Sequence, residues 1–355
     1  MPTLPVHLVA TPVLERLAGP GERSGVVLGA GATACWVDLD GFVIAITTRE
    51  VPLLPNAVAL AAGSGGLQRP GATAGRVARF ATGRIDLGTL QVTWDPAAPP
   101  VWDPTVPEPT AAEPEALARR AAAILGALGG PVDNRQPPSR GSATLPLRGP
   151  QHPRVGLKAA RLQGRQQPRV GLEAAQLQQP QRPRVGLEGA RLRELARIGV
   201  STAADPDGAA AMAALFRAVG ERDPEPAAGA ARGLLGRGPG LTPEGDDLVA
   251  AVAGTLAVLG PVSGWDRSAL ASFLAALVAP APERTTALSA TLLELAARGR
   301  LAEPAGRLLD LGPDGEAAWP AALARLKRLG HGSGLAYAAG IATTASLLAA
   351  GSRLE

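Results

Sequence analysis

The sequence predicts an α+β protein in two parts: a small antiparallel β domain, barrel or sandwich-like, over residues 1–100, and a mainly α-helical domain over residues 198–355. Three observations carry that prediction. Runs of β-branched and apolar residues with turn signals concentrate before residue 100, apolar residues at three and four spacing concentrate after residue 198, and the segment between them has a composition that suits neither.

The first region opens with "MPTLPVHLVATPVLERLAGPG", which lacks a basic stretch followed by an uninterrupted apolar core, so no signal peptide is expected. "SGVVLGAGATACWVDLDGFVIAITT" then reads as successive strands, with "DLDG" as a turn between Trp36 and Phe42. "RIDLGTLQVTW" adds an alternating segment with a turn at Gly88. A connector over residues 101–147 follows: "PAAPPVWDPTVPEPTAAEPEA" leads through repeated prolines into a helix from Glu113 to about Ala127.

Residues 148–197 contain a repeat, "PRVGLKAARLQ", "PRVGLEAAQLQ" and "PRVGLEGARLR", starting at Pro153, Pro168 and Pro183 with a period of 15. Each copy begins with a helix-breaking proline and offers Val and Leu for no more than a short amphipathic turn or two. A flexible or weakly helical insertion is expected, with a basic partner-docking arm as the other reading. Between Arg148 and Arg197 eleven Lys and Arg stand against three Glu, whereas the whole chain carries only +4, so the remainder is net negative. The high sequence pI of about 10.1 therefore belongs to the insert. The insert also lacks aromatic residues for stacking on bases, and no nucleic-acid partner is expected.

Beyond the insert, "GAAAMAALFRAVG", "DDLVAAVAGTLAVLG", "RSALASFLAALVA", "TTALSATLLELAARG" and "AAWPAALARLKRLG" read as helices closed by glycine or proline. The run from Leu248 to Val262 is too short to span a bilayer, and "GLAYAAGIATTASLLAAG" is diluted by glycine, serine and threonine, so no membrane association is expected. Cys35 is the single cysteine, which excludes an internal disulfide and a thiolate metal cluster and fits a reducing, cytoplasmic compartment.

Chemistry concentrates at three helix starts. In "GRGPGLTPEGDDLVA" the spacing makes Thr242 the N-cap, Pro243 the first helical residue, and Glu244, Asp246 and Asp247 an acidic first turn. A cap accounts for Thr-Pro-Glu. It does not account for Gly245, which lowers helix propensity, or for adjacent aspartates whose side chains leave a helix about 100° apart, so that one serves the helix while the other faces a ligand.

The glycines, Gly238 and Gly240 among them, would offer backbone N–H donors to an anion that the carboxylates would repel. A ligand with an anionic end and an amide end resolves that conflict; a magnesium ion bridging phosphate to aspartate is the other resolution. In "ERTTALSATLLELAARG", Arg284 precedes a helix start marked by Thr285 and Thr286, a natural fork for carboxylate or phosphate or, equally, a surface arginine beside a cap. In "LGHGSGLAYAAGIA", His331 and Ser333 lead into a third helix. No second His or Cys lies at zinc-ligand spacing, and Ser333 lacks the strand-turn-helix setting of a hydrolase nucleophile.

In this order and spacing, "GRGPGLTPEGDDLVA", "RTTALSATLLELAARG" and "GHGSGLAYAAGI" resemble the AllH family. The resemblance implies a subunit of oxamate carbamoyltransferase, which interconverts carbamoyl phosphate plus oxamate with oxalurate plus phosphate in allantoin and purine nitrogen catabolism, alongside FdrA-like and AllG-like subunits. It implies that the Gly238 to Gly240 backbone and Arg284 hold phosphate or carboxylate, that Asp246 or Asp247 accepts from an amide NH2, and that His331 stabilises charge or moves a proton. Thr242, Gly245, Thr285, Thr286 and Ser333 complete the expected substrate-binding set.

No metal ligand and no firm cofactor are implied. Two features depart from the family pattern: Glu244 stands where a small hydroxyl residue is expected, and the basic insert is additional. Two other classes stay open, a non-catalytic carboxylate- or phosphate-binding assembly subunit and a magnesium-dependent hydrolase using Asp246 and Asp247.

Overall fold

In the computed structural model the described residues are 2–19, 21–63, 67, 72–110, 113–129, 188–330 and 332–351. The repeats lie outside them except for the end of the third copy, which from Glu188 forms the start of a helix.

Among the described residues nine strands build the amino-terminal region: β1 (Thr3–Ala10), β2 (Arg23–Ala30), β3 (Ala34–Leu39), β4 (Phe42–Thr47), β5 (Ala57–Leu60), β6 (Val77–Ala81), β7 (Arg84–Asp86), β8 (Gln91–Thr93) and β9 (Val101–Trp102). Their order is β5-β4-β3-β2-β6-β7-β8-β1-β9, and β5 also pairs with β1. Eight strands thus close into a barrel-like ring, with β9 added outside β1.

Closure removes the unpaired edges of an open sheet. The expected antiparallel character holds for most of the ring, including β1 with β5, while β4–β5 and β1–β8 are parallel. The β3–β4 hairpin is closed by Asp40 and Gly41 at φ 53° and 81°, with Leu39 facing Phe42, the left-handed pair that a two-residue hairpin turn requires. Val27, Val37, Leu39, Ile44, Ile46, Phe80, Ile85 and Val92 fill the interior.

Thirteen α-helices are described: α1 (Thr11–Leu17) within the barrel region, α2 (Pro114–Gly129), α3 (Glu188–Arg197), α4 (Ser201–Ala204), α5 (Pro206–Glu221), α6 (Pro224–Leu234), α7 (Glu244–Leu259), α8 (Arg267–Val278), α9 (Ala281–Arg284), α10 (Ala287–Ala296), α11 (Glu303–Leu309), α12 (Pro313–Leu326) and α13 (Ser333–Gly351). α7 is the central element. Every one of its residues is buried except Ala257, so its apolar surface runs all round rather than along one stripe.

The small residues of α7 and α13 allow close approach: a Cβ on Gly340 would lie 2.7 Å from the Ala251 Cβ. α13 is long and apolar enough by length and composition to cross a membrane, but 67% of the qualifying window is buried inside the protein, where it packs on α7 and α2.

The barrel docks on the helices through α10 and the chain just after it. The Val43 N–H donates to the Thr291 hydroxyl at 3.0 Å in a buried position, and the Leu301 and Val106 N–H groups pair with the Pro104 and Gly299 carbonyls, both at 3.0 Å. Arg300 and Glu15 add a two-pronged ion pair at 2.6 and 2.7 Å.

Candidate functional site

The Gly-rich loop, the start of α7, the start of α10 and the start of α13 converge. In the loop, Gly236, Gly238 and Gly240 have φ of 78°, 110° and 105°, which side chains rarely adopt. Gly236 also lies so close to the α9 end that a Cβ would sit 2.5 Å from the Arg284 carbonyl oxygen, and a Cβ on Gly238 would sit 2.8 Å from the Glu244 nitrogen. The loop is thereby folded tightly onto the helix it precedes.

The cap expected at Thr242 is not made. α7 begins at Glu244 with Pro243 in the N-cap position and no side-chain cap. The Thr242 hydroxyl instead meets the Ser333 hydroxyl at 3.1 Å, joining α7 to α13. The first amides of α7 are satisfied within the chain: Gly245 N–H donates to the Arg237 carbonyl at 3.0 Å, and the Asp246 and Asp247 N–H groups to the Pro243 carbonyl at 2.9 and 3.2 Å. The N-terminus of α7 therefore has its early donors occupied. The loop glycines Gly238 and Gly240 are exposed.

Gly245 has a packing explanation. A Cβ there would collide with the Leu234 carbonyl, so only glycine lets α7 pass the end of α6.

The two aspartates have different surroundings. Asp246 is 2% exposed; one oxygen accepts from the Gly236 N–H at 2.7 Å and the other from the Thr285 hydroxyl, tying the loop and the start of α10 to α7. Burial raises its pKa, opposed by hydrogen bonds from Thr285, Gly236 and Ser289.

Asp247 is 8% exposed, and its Oδ2 is buried without a hydrogen-bond partner among the described residues. Burial pushes its pKa well above the usual carboxylate range; a hydrogen bond from Ser333 opposes this, and the charges of Asp246 and Glu244 reinforce it. Tyr337, one helical turn after Ser333, has its own pKa raised by burial and by the Asp247 charge.

Thr286 behaves as expected of a helix start, accepting from the Ser289 N–H at 3.1 Å, and it also donates to the Leu241 carbonyl at 2.7 Å. Arg284 is exposed at the rim, where Nη2 donates to the Arg232 carbonyl at 3.1 Å. His331 lies outside the described residues.

Sequence reading missed Ser201 and Thr202. Glu244 Oε1 accepts from the Ser201 N–H at 3.0 Å, and Oε2 accepts from the Ser201 hydroxyl, the Thr202 N–H and the Thr202 hydroxyl at 2.5, 2.7 and 2.8 Å. The only signal was the Ser-Thr pair opening the "STAADPDG" segment, a hydroxyl helix start whose partner lies more than forty residues away.

A metal fits this donor set poorly. Both Asp246 oxygens already accept hydrogen bonds, and among the described residues no group of three or more His, Cys, Asp or Glu is arranged to hold an ion. Two clefts lie elsewhere. One of about 450 Å³ runs between α8 and the ends of α7 and α10, and one of about 520 Å³ runs along the 102–110 connector and α11.

Residues 234–345 match the family described as oxamate carbamoyltransferase subunit AllH. The match spans the end of α6 to most of α13 and includes all the candidate residues, bearing out the resemblance over that segment; the barrel lies outside it. No curated protein and no solved structure matches the chain.

Proposed function

We propose that the segment similar to subunit AllH makes this chain a subunit of an oxamate carbamoyltransferase-like assembly, interconverting carbamoyl phosphate plus oxamate with oxalurate plus phosphate. In this reading FdrA-like and AllG-like subunits are its partners and the cytoplasm its compartment. The observation that carries the proposal is Asp247: a buried carboxyl with a raised pKa and an oxygen that has no hydrogen-bond partner among the described residues, within the matched segment.

An unsatisfied buried polar atom costs about 1–3 kcal/mol, so its retention supports a use. A carboxyl that keeps its proton presents a donor and an acceptor side by side, complementary to the carbonyl and NH2 of a primary amide. Oxamate and carbamoyl phosphate each carry such an amide beside an anionic end. Asp247 would hold the amide, with Ser333 orienting the carboxyl, while the Gly238 and Gly240 amides and Arg284 at the rim would receive the phosphate or carboxylate. Proton delivery to the carbamoyl oxygen or nitrogen as charge develops falls to the same carboxyl, with His331 as the second candidate. Asp246 is a tether in this account.

The test is phosphate-dependent cleavage of oxalurate by the purified subunits, mixed and singly. Turnover that needs this chain together with both partners supports the proposal; turnover unchanged when the chain is omitted contradicts it. The second reading, a non-catalytic binding subunit, is favoured by the early α7 amides being already spent. It predicts that Asp247 variants lose oxamate binding while the assembly keeps its turnover.

A further inference from the structure

We infer that Glu244 is a positioning residue of this site, and that Ser201 and Thr202, which precede the matched segment and follow the basic insert, are part of its machinery. The inference rests on the carbamoyltransferase reading for its kinetic consequence and on geometry for its substance. Glu244 is 6% exposed and carries no ion-pair partner among the described salt bridges, yet its carboxylate accepts four hydrogen bonds, all from two consecutive residues at the start of α4.

Two of those donors are backbone N–H groups with no partner within so short a helix, so the carboxylate serves as the cap that α4 lacks in its own sequence. On its other side the carboxylate abuts the turn before α13: a Cβ on Gly332 would lie 3.2 Å from Glu244 Oε1. Gly332 is followed by Ser333, whose hydroxyl meets the Thr242 hydroxyl and donates to the Thr242 carbonyl at 3.3 Å, and whose side chain lowers the raised pKa of Asp247. Glu244 therefore sits among three segments, α4, the first turn of α7 and the turn into α13. Thr242 and Glu244 thus both touch the turn that carries Ser333.

A short side chain at 244 would not reach both Ser201 and Thr202. In this chain the longer acidic side chain brings the root of the insert into the site. Gly199, two residues earlier, completes the contact: a Cβ on it would lie 3.4 Å from Leu335 Cδ2 on α13.

The test is the Ser201→Ala/Thr202→Ala double variant, which removes both hydroxyl donors and leaves the Glu244 charge in place, compared with Ser201→Thr/Thr202→Ser, which keeps them. In the assembled enzyme the alanine pair is expected to lower kcat by about tenfold or more with KM for oxalurate little changed, as for a reacting group displaced by a fraction of an ångström, and the hydroxyl-keeping pair to restore it. An alanine pair with unaltered kcat, or a loss that the hydroxyl-keeping pair does not restore, overturns the inference.

A second measurement separates this from failure of the functional reading. Carboxyl 13C titration of Asp247 in the isolated chain reads the position of Ser333 and Glu244 against it without any turnover. A midpoint altered by the alanine pair and restored by the hydroxyl-keeping pair supports the positioning role even where the assembly shows no oxalurate cleavage; identical midpoints in all three proteins contradict it. Thermal unfolding of each variant identifies a simple loss of fold, and Glu244→Gln, which keeps one acceptor oxygen, gives an intermediate effect if the role is positional.

Discussion

The starts of α10 and α7 look alike in sequence and solve different problems. At α10, Thr286 accepts from the Ser289 N–H and the helix is capped by its own side chain. At α7 no side chain caps the helix, although Thr242 precedes it and Glu244, Asp246 and Asp247 lie in its first turn. Thr242 goes to α13, Glu244 to α4, Asp246 to the loop and α10, and Asp247 Oδ2 to no partner among the described residues. A cap spends its polar group on its own helix, whereas the α7 start spends three on neighbouring segments and leaves one open. That pattern distinguishes a site from a terminus better than the number of acidic residues does.

The comparison is sharpened by removing each group in turn. The largest expected effect is on turnover: Asp247→Asn should reduce oxalurate cleavage by the assembly by about 100-fold or more while the chain stays folded, since the variant loses the proton and not the shape. The same variant carries a pH signature. Because burial raises the folded pKa of Asp247 above its unfolded value, the native state keeps a proton that the unfolded chain has released, and stability falls as pH rises through that window. Asp247→Asn should flatten that slope in denaturant titrations run from acid to neutral pH. An unchanged slope would mean that Asp247 is ionised in the fold at little cost.

Asp246→Ala should act on stability instead, leaving the Gly236 N–H and the Thr285 hydroxyl without their acceptor and costing about 3 kcal/mol in urea unfolding. Gly245→Ala, whose Cβ would meet the Leu234 carbonyl, should cost about 1–3 kcal/mol by the same measurement. Thr286→Ala should cost the least, about 1 kcal/mol for an ordinary cap. A Thr286 variant more damaging than Asp246→Ala would reverse the contrast between the two helix starts.

Much of this was legible in the chain. The Asp40-Gly41 hairpin, the turn at Gly88, the helix opening at Thr286 and the central apolar run of α7 follow from local rules of turn chemistry and periodicity, and the structure has each of them. The parallel β4–β5 and β1–β8 pairings were not legible, because strand composition does not specify which neighbour a strand will take in a closed ring.

The Thr242 cap was misread for a related reason: local propensity favours it, but the Ser333 hydroxyl, ninety-one positions away, competes for the same side chain. The packing demand on Gly245 was not legible because the close passage of Leu234 past α7 is a tertiary fact. The pair of aspartates was visible as a pair with different duties. Which one was open depended on Gly236 and Thr285, which no spacing rule places.

The central claim is that Asp247, and not Asp246, is the carboxyl left open for an amide ligand. Its most direct test is residue-resolved carboxyl 13C spectroscopy of both aspartates in the assembled complex, with oxamate added stepwise. The account predicts that the Asp247 signal shifts in a saturable way while that of Asp246, held by Gly236 and Thr285, stays in place. A saturable shift of Asp246 with Asp247 unmoved would contradict it.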